Sequence, residues 1–341
     1  MARTLDKITP NDDRVKSQCV VVNGWRWHYL DASPEGPARG VVVLVHGFPD
    51  VALAWRYQIP VLTSLGLRCI AIDCMGYGGT GASDKLSDYS FKSHAIAIAA
   101  IAKQIGASKI ILGGHDWGGV VVYRTAQWYP DLVSHVFSVA TPYFPISDQF
   151  IPAEVLAAKM PQFGYQLQLG SEEQKVEKAA GTKSQIRRLL NAVYNGKPAS
   201  GTRAVTPEKG VDLDLIVSDE VIHPSPFFDD VELDFYAEQF AKHGMHGPCN
   251  WYRTRKVNFD EEMEMAPERQ KGLSQPTLFI QCLHDDILTP SLSVGMEDCI
   301  PHLTRAEVAA SHWGLWHTAA ETNDHIKTWV EGVVFGSKSK I

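Results

Sequence analysis

The sequence predicts an α/β fold: a mostly parallel central sheet with helices on both faces, interrupted by an inserted helical segment. Three observations predict it. Short β-branched runs alternate with amphipathic helical stretches up to Pro142, and the strand pattern resumes at Pro276. Between Tyr143 and about Lys256 the apolar residues recur only at helical spacing. A Gly-rich turn, Gly113-Gly114-His115-Asp116-Trp117-Gly118-Gly119, stands between a strand-like run and a helix-like run.

The elements follow in order. Residues 15–31 (VKSQCVVVNGWRWHYLD) alternate in part and turn at Asn23-Gly24, the pattern of an edge hairpin. VVVLV at 41–45 is a continuous apolar run rich in β-branched valine, expected as a central strand buried on both faces. RCIAID (68–73), KIIL (109–112), VSHVFSVA (133–140), TLFIQCL (277–283) and AEVAA (306–310) are the further strands expected. WRYQIPVLTSLG, FKSHAIAIAAIAKQIG and the stretch after Trp117 are the helices between them. This divides the chain into a core, 1–142 with 257–341, and a helical insertion, 143–256. Within the insertion Ile186, Leu189, Leu190, Val193 and Tyr194 share one helical face, as do Leu233, Tyr236, Ala237, Phe240 and Ala241. Ser171-x-x-Gln174 fits a capping box, and residues 196–210 read as a loop. The insertion is expected as a cap over the strand C-termini, where ligands bind in open α/β sheets.

Composition narrows the function classes. A net charge of −7 offers no basic field for nucleic acid. Six scattered cysteines without a C-x-x-C pair predict reduced thiols rather than a disulfide framework. The charged N-terminus lacks a secretory apolar region, and no apolar run reaches the length of a membrane span. A cytoplasmic location is expected, with the terminal Ser339-Lys340-Ile341, close to the peroxisomal S-K-L address, as the alternative. No metal-ligand spacing is present. Gly76-Tyr77-Gly78-Gly79-Thr80-Gly81 fits neither a dinucleotide fingerprint nor a P-loop and reads as a flexible loop.

The chemistry concentrates at Asp116. Strand, tight turn and helix make a nucleophile elbow, G-x-S-x-G in most proteins that use it, with Asp116 here in the serine position. A serine that attacked a saturated carbon would form an ether, which water does not readily split. A carboxylate forms an alkyl ester, whose carbonyl water can attack. Asp116 therefore points to substrates displaced at sp³ carbon: epoxides or alkyl halides. The partners expected on this scaffold are an acid after the TLFIQCL strand, Asp285 or Asp286, and His312 after the last strand. His312 would deprotonate water, and the acid would hold the other ring nitrogen. The backbone N–H groups of Phe48 and Trp117 would hold the oxyanion; Pro49 has none to give. Phe48, Trp117, Trp251 and Trp313 are the expected pocket side chains. Tyrosine, protonated at neutral pH, suits the leaving oxygen of an epoxide, and Tyr165 and Tyr252 stand out in the insertion.

HGFPD, WRYQIP, the GYG loop, GHDWGG, FGYQ, NWYR and the Asp…HW tail occur in this order over roughly residues 20–335. In these motifs the chain resembles the soluble-type epoxide hydrolases of the α/β-hydrolase fold. The resemblance implies that Tyr165 and Tyr252 polarise the epoxide oxygen, that Asp116, His312 and the strand-end acid form a triad, and that no cofactor is used. Counting back from Pro290 favours Asp285, with Asp286 as the alternative. Two departures stand out: Ser311 precedes His312 where the family usually has Gly, and 341 residues leave no room for the N-terminal phosphatase domain of mammalian two-domain relatives. Two other readings compete. A haloalkane dehalogenase would share the Asp chemistry, but Phe48 stands where that family often has a halide-binding Asn. A non-catalytic ligand receptor could keep the same residues.

Overall fold

The computed structural model describes residues 5–336; the terminal Ser339-Lys340-Ile341 lies outside the described residues. Its strands are β1 (Lys16–Val22), β2 (Trp25–Ala32), β3 (Gly40–Val45), β4 (Leu67–Ile72), β5 (Ile110–His115), β6 (Val133–Val139), β7 (Val205–Thr206), β8 (Gly210–Val211), β9 (Thr277–Cys282) and β10 (Leu303–Val308). Eight of them form one sheet in the order β1-β2-β4-β3-β5-β6-β9-β10. The β1–β2 and β2–β4 pairs are antiparallel and every other pair is parallel, so the sheet is mostly parallel, as expected.

Burial follows position in the sheet. Val42 to Val45 of β3 and all of β5 and β9 are buried, because neighbouring strands and covering helices leave them no solvent face. At the edge, β1 is largely exposed. The chain passes from β3 to β4 on one side and later to β5 on the other. Ligands of open α/β sheets bind at such a reversal, so the C-terminal ends of β3 and β5 are where a site is expected. Gly47 and Phe48 follow β3 there, and Asp116 follows β5.

The chain forms two compact units. The first comprises 1–74, 91–146 and 264–341 and contains the sheet; the second comprises 75–90 and 147–263 and is mainly helical. In the second unit, helices Lys183–Val193 and Asp230–Ala241 pack together, and Tyr194, Phe228 and Tyr236 form an aromatic cluster. No helix among the described residues is long and apolar enough to cross a membrane.

Four local expectations differ from the structure. β10 runs from Leu303 to Val308 rather than over 306–310, because Ala310 N–H turns back to Val308 O. The capping box at Ser171 is absent. Gln174 has left-handed backbone and no side-chain cap, and the boxes form instead at Thr182/Gln185 and Asp229/Glu232. The loop 196–210 contains most of the small β7–β8 pair. The Gly-rich 76–81 segment is packed rather than loose. Tyr77 lies edge-on to Phe240 and Trp251, and a Cβ on Gly76 would sit 2.8 Å from Gly247 Cα.

Candidate active site

Asp116 is held where an ordinary residue is strained. Its φ of 53° and ψ of −127° end β5 and start the helix Trp117–Trp128. The Thr141 hydroxyl and the Gly119 N–H both donate to the Asp116 carbonyl, at 2.8 and 2.9 Å. The flanking glycines are a space requirement: a Cβ on Gly118 would lie 2.0 Å from Val45 O, and one on Gly47 would lie 2.2 Å from Asp116 Oδ1. Close passage of the β3 loop and the helix start thus demands glycine on both sides.

The loop after β3 is pinned by His46. Its Nδ1–H donates to Gly47 O at 2.8 Å, and its Nε2 accepts from Cys74 N–H at 3.0 Å. Complete burial pushes its pKa down, so the ring stays neutral and spans the two loops. The Phe48 N–H so positioned donates to Asp116 Oδ1 at 2.7 Å.

His312 faces two carboxylates. Nε2 is 3.5 Å from Asp116 Oδ2, and Nδ1 is 2.7 Å from Asp285 Oδ2. The remaining Asp285 oxygen accepts the Ile287 and Leu288 N–H groups at 2.8 and 2.9 Å. Asp286, the alternative, is exposed. Burial pushes the His312 pKa down, but the Asp285 charge and the bonds to both carboxylates outweigh it and raise the value to about 10. For Asp116 and Asp285 burial acts upward, and His312 outweighs it, holding both below the usual carboxylate range.

Sequence reasoning did not single out His115. It is buried at the end of β5, and its Nε2–H donates to the His312 carbonyl at 2.8 Å. Burial, then the His312 charge, lower its pKa to about 4, so it stays a neutral donor that fixes the His312 loop. The only local signal was its place beside Asp116. Asp50, in the HGFPD motif after β3, is also buried, and its Oδ1 accepts from Val51 N–H at 2.9 Å. Ser311, the departure from Gly, engages His317: its N–H donates to Nδ1 at 3.1 Å.

The expected pocket aromatics divide. Trp117 opens the helix beside Phe91, with ring centroids 6.0 Å apart. Trp313 is edge-on to His312 at 5.0 Å and stacks on Trp316 at 5.1 Å. Trp251 is buried in the second unit, where its indole N–H donates to Met75 O at 3.1 Å. In that same unit Tyr165 and Tyr252 lie edge to face, 5.8 Å between centroids.

A carboxylate at a strained elbow, with a buried His–Asp pair against one oxygen and a backbone N–H on the other, defines an α/β-hydrolase-type site. The family model described as alpha/beta hydrolase fold matches residues 40–318. Epoxide hydrolase srdG of Neurospora crassa is 37% identical over 331 residues, covering 93% of this chain and 96% of that protein. Bifunctional epoxide hydrolase 2 of Sus scrofa is 32% identical over 92% of this chain, which spans 54% of that longer protein. The crystal structure of Epoxide Hydrolase A from Mycobacterium thermoresistibile has a TM-score of 0.79 at 25% identity, covering 93% of this chain and 98% of its own. The chain belongs to the alpha/beta hydrolase fold family, among its epoxide hydrolases.

Proposed function

We propose that this protein converts epoxides to vicinal diols through a covalent ester on Asp116. Asp116 Oδ2 attacks a ring carbon, and the ring C–O bond breaks. Tyr165 and Tyr252 hydrogen-bond to the epoxide oxygen, and one of these phenols gives it a proton as the C–O bond breaks; the phenolate regains a proton from solvent during ester hydrolysis. His312 then takes a proton from water, and the resulting hydroxide attacks the ester carbonyl. The oxyanion forms on Oδ1, stabilised by the backbone N–H groups of Phe48 and Trp117. Its collapse breaks the bond from Cγ to Oδ2; His312 returns its proton to the departing oxygen, the diol leaves, and the Asp116 carboxyl loses its proton to solvent. Asp285 keeps Nδ1–H of His312 oriented and balances its charge. The second unit acts as the cap domain, and the residues invoked call for no cofactor.

One observation carries this reading: the two oxygens of Asp116 are already distinguished. Oδ1 accepts from Phe48 N–H, and Oδ2 faces His312. The family membership supports epoxides as the substrate class.

A panel of epoxides and haloalkanes, scored for diol and for halide, tests the substrate class. Diol from epoxides is expected; halide release without diol would make the protein a dehalogenase, and turnover of neither would favour a receptor. A single turnover in heavy-oxygen water tests the mechanism. The isotope should enter the Asp116 side chain and be missing from the first diol. Label in the diol alone would mean direct attack by water and overturn the ester.

A further inference from the structure

Tyr165 and Tyr252 come from segments far apart in the chain, and neither segment can fix its own geometry. Tyr165 opens a helix of five residues, Tyr165–Leu169, and Tyr252 lies in the single turn Trp251–Arg253. Elements this short have too few internal hydrogen bonds to hold a conformation unaided. One side chain spans them. The Arg253 guanidinium donates to Gly170 O at 3.4 Å, Ser171 O at 2.7 Å, Asn250 Oδ1 at 2.8 Å and Glu177 Oε1 at 2.6 Å. Gly170 is the C-cap of the Tyr165 helix, and a Cβ there would lie 3.1 Å from Tyr252 O. The Arg253–Glu177 pair is itself mostly buried, at 12% and 10% side-chain exposure.

We propose that Arg253, oriented by Glu177, is the positioning residue that sets the two tyrosine hydroxyls to converge on one substrate oxygen. The proposal rests on the tyrosine roles given above and deepens them. Arginine is required because its planar fork reaches two carbonyls, a carboxylate and an amide at once; a lysine ammonium can bridge fewer of these in fixed geometry. Glu177 neutralises the buried cation and fixes the plane of the fork. Loss of the fork leaves the helix end and the Tyr252 turn free to shift, and small displacements of a donor are costly in rate.

The test separates the two chemical steps in the full chain by rapid quench, following formation and decay of the ester. Arg253→Lys should slow ester formation by about tenfold to a hundredfold. It should leave ester decay, which uses His312 and not the tyrosines, at the parent rate. Glu177→Gln should show the same selective loss and serves if Arg253→Lys does not fold. In a Tyr165→Phe background Arg253→Lys should have little further effect, because the pair it aligns is already broken. Ester formation at the parent rate, or equal slowing of both steps, in whichever variant folds overturns the proposal. The Tyr165→Phe/Tyr252→Phe double variant is run alongside. If it forms ester at the full rate, the tyrosine reading itself fails, a result distinct from any outcome for Arg253.

Discussion

The backbone N–H of Phe48 donates to Oδ1 of Asp116 over 2.7 Å. The donor assigned to the transition state is thus already engaged with the oxygen that would carry the charge, so little reorganisation is needed when that charge forms. On the proposed mechanism Oδ2, which faces His312, is the attacking oxygen. Asp116→Ala removes both oxygens and should abolish diol formation and all isotope incorporation, with the fold retained by circular dichroism.

On the proposed mechanism each tyrosine should compensate only in part for loss of the other. Tyr165→Phe or Tyr252→Phe alone leaves one donor to the leaving oxygen, and each should reduce ester formation by about one to two powers of ten. Both together should nearly abolish it. Steady-state diol formation over the single and double variants measures this.

The pH dependence should differ between the two steps. Asp116 titrates below the usual carboxylate range, so ester formation should show no acid limb near pH 5 from this group. On the proposed mechanism ester decay needs neutral His312. In the resting protein the charges of Asp285 and Asp116 help raise its pKa to about 10 against the opposing effect of burial. Esterification abolishes the Asp116 charge, so the His312 pKa falls in the intermediate. Ester decay should therefore rise with pH through a value below 10. Asp285→Asn should move that value lower still, while slowing decay through loss of ring orientation. Asp286→Asn, at an exposed site, should change neither. Single-turnover decay measured against pH decides it.

Glycine at the elbow should be worth more than helix propensity. Gly118→Ala would ordinarily gain about 1 kcal/mol in a helix. Here its Cβ would lie 2.0 Å from the Val45 backbone oxygen. Overpacking against a backbone that cannot yield should cost about 3 kcal/mol or more and reverse the sign. Gly332→Ala meets nothing within 4 Å and serves as the control, expected neutral or mildly stabilising. Thermal unfolding of both variants is the measurement.

Much of this was legible in the chain. Continuous apolar runs such as VVVLV specify buried strands, since only a doubly covered strand hides both faces. Gly113 to Gly119 specify the elbow, since the glycines record how closely backbones must pass. What local pattern could not decide were the non-local pairings. Asp285 and Asp286 are equivalent as sequence neighbours; backbone direction turns one toward His312 and the other to solvent. His115 reads as an ordinary histidine until the fold brings the His312 carbonyl to its ring. Arg253 gains its partners from segments some 80 residues earlier. Residue type and spacing picked out the buried strands, the elbow and its carboxylate, because periodicity and turn preference act over a few residues. Which groups share a proton, a charge or a hydrogen bond was settled by tertiary packing, because those interactions depend on distance in space and not along the chain.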